Sequence, residues 1–134
     1  MDYKLQAQIV KIITDHILTP VIYMDKHENE IDFICFCDMN INLDIICETE
    51  EKLTWILNKR AVIADIREYC EAERIEIINE AEIIYSENQV IERLLAFCVA
   101  DEFHKFTVQK DEAVRRYHDC GTAYIQWGNK WKRI

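Results

Sequence analysis

Glycine and proline are nearly missing from this chain, which holds two glycines and one proline in 134 residues. Loops that cradle phosphate need backbone that approaches oxygen closely and takes positive φ, which is the task of glycine. Both glycines, Gly121 and Gly128, fall near the C-terminus, so neither a P-loop nor a dinucleotide fingerprint can be built. Nucleoside triphosphate hydrolysis of the usual kind and nicotinamide chemistry are thereby disfavoured, and no cofactor is expected. Positive charge is also short. Sixteen Lys and Arg stand against 25 Asp and Glu, a formal charge of −9 that repels a phosphate backbone and argues against free nucleic acid as a partner. No apolar run approaches the roughly 18 residues of a membrane span, and no charged segment followed by an apolar one opens the sequence. The expectation is a cytoplasmic protein without a membrane partner.

Half the residues are hydrophobic and 31% are charged, which excludes disorder and low complexity. The length fits one domain, 1–134. Six cysteines (Cys35, Cys37, Cys47, Cys70, Cys98 and Cys120) lack an export signal and read as small buried, reduced hydrophobes. Cys35 and Cys37 share one face of a strand, whereas metal sites use a longer spacer and a second pair. The four histidines are scattered, with none at the i, i+4 spacing of a helical zinc pair.

Apolar residues at Leu5, Ile9, Ile12, Ile13 and Ile17 predict a helix over 3–18, closed by Pro20. Stretches rich in Ile, Val, Phe and Tyr predict strands over 21–25, 31–37 and 43–47. Thr49, followed by two glutamates, is the expected start of a long helix ending near Glu73. The β-branched run from Arg74 to Asn79 then reads as the return strand of a crossover, parallel to a neighbour. After Ile83-Ile84-Tyr85, a helix capped by Ser86 carries Val90, Ile91, Leu94, Leu95, Phe97, Cys98 and Val99, too many apolar residues to face water. A final amphipathic helix from about Asp111 precedes a tail whose Trp127 and Trp131 are expected to pack back on the domain.

The fold class expected is therefore α/β, a mixed sheet of about four to five strands with an N-terminal helix, one long crossover helix and two C-terminal helices. On it, Asp38, Asp44 and Glu76 fall at or within predicted strands, where a carboxylate faces solvent or a cation. Convergent, they are the candidate ligands for magnesium in phosphoryl or nucleotidyl transfer. Alternation on a half-exposed sheet explains them without a metal and is the reading the spacing favours.

The order of these elements resembles the minimal nucleotidyltransferase family. There a first strand ends in Gly-Ser, the next carries two carboxylates separated by one apolar residue, and a third carboxylate sits on the strand after a helix. On that resemblance Cys37-Asp38 stands for Gly-Ser, Asn42 and Asp44 for the paired carboxylates, and Glu76 for the third. A second register places Glu30-Ile31-Asp32 as the carboxylate strand and leaves Tyr23 to Asp25 in place of Gly-Ser. The apolar run reaching Tyr85 is similar to that family's ending. Both registers lack Gly-Ser, and the first loses a carboxylate to Asn42, so magnesium would bind only if the cluster were intact. The resemblance implies a catalytically degenerate domain serving as a binding or regulatory protein, of antitoxin type. Two readings stand beside it: a small acidic immunity or inhibitor protein of another α/β fold, and an active magnesium-dependent nucleotidyltransferase. A protein partner of basic character fits the acidic surface, and a homo-oligomer stands beside it as a second expectation.

Overall fold

The computed structural model describes residues 2–37, 42–120, 124–127 and 130–133. Asp38 and Gly121 lie outside the described residues, as does the packing of Trp127 and Trp131.

Helix α1, Tyr3–Thr14, starts where the Asp2 carboxylate accepts the Lys4 N–H, and it buries Ile9 and Ile13. Strands β1, Val21–Lys26, and β2, Glu30–Cys35, form an antiparallel hairpin in which Asp25 pairs with Asp32. Helix α2, Leu43–Leu57, crosses over to β3, Arg60–Asp65, which lies parallel to β2. Helix α3, Glu71–Glu80, leads into β4, Glu82–Ser86, antiparallel to β1. Helix α4, Gln89–Cys120, runs for 32 residues, about 48 Å. A two-stranded hairpin of β5, Tyr124–Trp127, and β6, Lys130–Arg133, follows it. The main sheet has the order β3-β2-β1-β4.

The mixed α/β architecture matches expectation, but four segments differ. Residues 43–47 are the first turns of α2 and not a strand, because Asn42 caps the helix through its side-chain oxygen on the Asp44 N–H at 2.8 Å. From there Ile46, Thr49, Leu53 and Leu57 recur at helical spacing and face the core, so Thr49 is interior and not a cap. The helix stops at Asn58, whose left-handed backbone (φ 52°) asparagine tolerates better than most residues. Residues 61–64, read as part of a long helix, are the interior of β3, an unbroken apolar run of the kind parallel strands carry.

Residues 74–79 are helical despite their β-branched content. The Cys70 N–H donates to Glu73 Oε1 at the start of α3, and Ile77, Ile78 and Ala81 pack on the sheet at i, i+1 and i+4. The two expected C-terminal helices are one continuous α4, which begins after Asn88, whose side chain accepts the Val90 N–H at 2.7 Å. Ser86 is not its cap.

The sheet separates two apolar layers. Ile22, Met24, Ile31, Phe33, Cys35, Ala61 and Ile63 pack against α1 and α2, while Val21, Tyr23 and Ile34 meet Ile66, Ile77 and Leu95 on the other side. Of the cysteines, Cys35 and Cys37 are buried as expected, but Cys47, Cys70 and Cys98 are exposed. All five are reduced. The helices also tend the sheet's margins. On the edge strand β3 the outward N–H groups of Ala61 and Ile63 donate to Thr54 Oγ1 at 3.0 Å and Glu50 Oε2 at 2.8 Å, both from α2. On the opposite edge, β4 bulges at Ile84, and the Ile84 carbonyl accepts from Gln6 of α1 at 3.1 Å. Edges with occupied donors and a bulge resist strand addition by another chain. No helix among the described residues is long and apolar enough to cross a membrane.

Candidate functional site

The carboxylates gather on the α3 side of the sheet. Asp25 on β1 and Asp32 on β2 are cross-strand partners, and Glu73, Glu76 and Glu80 line the facing side of α3. With His27, Tyr69, Ile77 and Ala81 they enclose a cleft of about 260 Å³. His27 sits between the two strand carboxylates, its Nε2 at 3.0 Å from Asp32 and 3.5 Å from Asp25. The β1–β2 turn is tight: the His27 N–H donates to the Glu30 carbonyl at 2.8 Å, and the Lys59 ammonium donates to the His27 carbonyl.

Charge is concentrated here. Burial, and then the nearby Glu30, push the Asp32 carboxyl above its ordinary value, with His27 pulling the other way. Asp32 Oδ1 is buried with no hydrogen-bond partner. Tyr69 is pushed up to about 12 by burial and then by Asp32, Glu68 and Asp25 around it.

Of the candidate ligands, Glu76 lines this cleft. Asp44 does not join it: it lies exposed in the first turn of α2, whose apolar face packs on the opposite layer of the sheet. Asp38 is outside the described residues. The residues sequence reasoning passed over are Asp25 and His27, and the signal for them was the short turn that makes Asp25 and Asp32 neighbours. In the second register, β2 carries Glu30 and Asp32 and the strand after the helix is β3. Its residues opposite them are Arg60 and Val62. Arg60 approaches Glu30 at 3.9 Å, and the residue across from Asp32 is apolar. Among the described residues no three His, Cys, Asp or Glu side chains are arranged to hold a metal ion.

Solved structures share this fold. A toxin–antitoxin MntA-HepT crystal structure matches with a TM-score of 0.70 at 14% identity, over 87% of this chain and 99% of that one. A tri-AMPylated Shewanella oneidensis HEPN toxin in complex with MNT antitoxin matches at 0.71 and 15%, over 88% and 99%. A toxin–antitoxin structure with AMP-PNP matches at 0.68 and 16%, over 84% and 98%. The fold is nucleotidyltransferase-like. No family model matches the chain, and no curated protein matches its sequence.

A second feature of this nucleotidyltransferase-like domain lies on α4. Ile91, Leu95 and Val99 turn toward the body of the domain and are buried or partly so. Val90, Leu94 and Phe97, on the opposite side, are 64%, 57% and 69% exposed. Val108 continues the same stripe about three turns further on and is also exposed. The helix is thus apolar on two faces, and the domain covers one of them.

Proposed function

We propose that this chain is a catalytically degenerate nucleotidyltransferase-like protein of antitoxin type, which binds a protein partner through the outward face of α4. The observation that carries this reading is the second apolar stripe: a helix with apolar residues all round belongs in an interior, and here half of that interior is missing. Partner binding through helix side chains also fits a sheet whose margins are closed to strand addition. The solved neighbours being toxin–antitoxin complexes supports the choice of partner class, a toxin protein of the kind those complexes contain.

Degeneracy is supported by the cleft. Magnesium held for nucleotidyl transfer needs several carboxylates around one ion and a backbone loop for the phosphates. Here the imidazole of His27 lies between Asp25 and Asp32, Val62 stands across from Asp32, and a tight turn replaces any phosphate loop. These residues do not fit the ion.

The test is Leu94→Glu with Phe97→Glu. The tagged wild-type chain should retain a bound protein from its native host, and the double variant should lose it while melting at the wild-type temperature. Retention of the same protein by the variant would overturn the reading. The acidic cleft supports a basic side chain at the partner's contact, so capture should also weaken as salt rises from about 0.05 M toward 1 M.

A further inference from the structure

The outward side of α4 is one narrow seam. Turning about 100° per residue, the helix brings Val90, Leu94, Phe97, Asp101, His104 and Val108 into a stripe about 80° wide and about 27 Å long. The steps along it alternate between four and three residues, the a and d spacing of a heptad. The inner side keeps the same period: Val99, Phe106 and Ala113, seven residues apart, are buried or half-buried. The two ridges stand back to back, so α4 cannot turn the outer one inward without exposing the inner one.

Asp101 breaks the apolar run between Phe97 and Val108. Its Oδ2 holds the Lys105 ammonium at 2.9 Å, one turn further along, and its side chain is 43% exposed. Oδ1 is left to a donor from outside the chain. The adjacent Glu102 is turned toward α3 and taken by Arg74 at 3.2 Å, so Asp101 is the acid that the seam presents.

A second copy of the chain fits this seam badly. Parallel pairing sets Asp101 against Asp101, and antiparallel overlap of the whole seam sets Phe97 against Asp101 and Leu94 against His104. A polar residue at a seam position selects the partner that satisfies it. An extended strand gains nothing here, because a helix offers it no unpaired backbone groups. Side chains spaced three and four apart instead match the grooves of another helix crossing at about 20°. The charge of the chain, −9, draws a cation to the open carboxylate oxygen.

We infer that, on the partner-binding role proposed above for α4, the element seated there is an amphipathic α-helix of another protein, with an arginine or lysine opposite Asp101. That cation fixes the register, and apolar residues on either side of it cover Leu94, Phe97 and Val108.

The experiment uses the tagged full chain with photoreactive p-benzoylphenylalanine at position 90, 97 or 108 in turn, loaded with protein from its native host and irradiated. Sequencing of the cross-linked peptides should place all three contacts on one segment of another protein, in order, at spacings of three, four or seven. An arginine or lysine should fall between the residues reached from 97 and 108. Asp101→Arg should weaken retention at least about tenfold without lowering the melting temperature. Lys105→Ala removes only a surface ion pair and should retain the protein. Cross-links on alternate residues, on scattered segments or on a second copy would overturn the inference, as would full retention by Asp101→Arg. If Leu94→Glu with Phe97→Glu still abolishes retention in that case, α4 remains the partner face and only the helical partner is refuted. A chain that retains no host protein refutes both.

Discussion

Replacing Asp32 with Asn removes a charge from the most crowded acidic spot in the molecule while keeping the shape of the side chain and a hydrogen bond to His27. His27 Nε2 lies 3.0 Å from Asp32 and 3.5 Å from Asp25, so these carboxylate oxygens stand within about 6.5 Å of each other. Two like charges at that separation repel by about 2.5 kcal/mol at an effective dielectric of 20, and by about 0.6 kcal/mol in water. Asp25 is partly exposed and His27 offsets some of the repulsion, so the net gain expected from Asp32→Asn is about 1 kcal/mol. For a chain of 134 residues that raises the melting temperature by about 3–4 °C. The pH dependence follows from the raised carboxyl of Asp32. A carboxyl raised in the folded state destabilises the protein where it is ionised, and that penalty disappears as pH falls through the folded value. The gap between variant and wild type should therefore be present at neutral pH and close in acid. Differential scanning calorimetry between pH 7 and pH 4, with and without magnesium, is the assay. An Asp32→Asn variant that melts below wild type would refute the repulsion between these carboxylates. A wild-type melting temperature raised several degrees by magnesium, with the rise erased by the substitution, would refute it equally, since an ion at 100 times its Kd contributes about 2.7 kcal/mol.

Truncating Glu50 to Ala leaves the Ile63 N–H on the β3 edge without its acceptor and should lower stability by about 1–3 kcal/mol in urea denaturation, with an unchanged midpoint refuting the edge-capping role. Asp65 behaves oppositely to Asp32. Burial raises its carboxyl, but the hydrogen bonds and charge of Arg67 and the Cys37 N–H outweigh burial and hold it below the ordinary value. Such a group stabilises the fold above its unfolded pKa and loses that contribution as pH falls through the folded one. Asp65→Asn should accordingly lower the melting temperature at pH 7 and converge with wild type in strong acid, whereas a pH-independent difference would contradict the role given to Arg67.

The sequence by itself determined the fold class and the architecture to which it belongs. Apolar periodicity placed α1, the β-rich stretches placed β1 and β2, and the near absence of glycine set the expectation against phosphate-loop chemistry. Local pattern failed at 43–47 and 74–79, where short runs of Ile are compatible with either a strand or one face of a helix. There the outcome depended on caps at Asn42 and Glu73 and on which side chains met the sheet. The same dependence governs the site. Asp44 and Glu76 looked like neighbours because both were read as strand residues. Tertiary structure put them on helices packed against opposite layers, and a tight turn joined Asp25 to Asp32 instead. The excess of apolar residues on α4 was legible in the sequence as a need for burial. Only the packing of α4 against the domain decided which face was satisfied and which was left exposed, because a helix can turn just one side toward its own core.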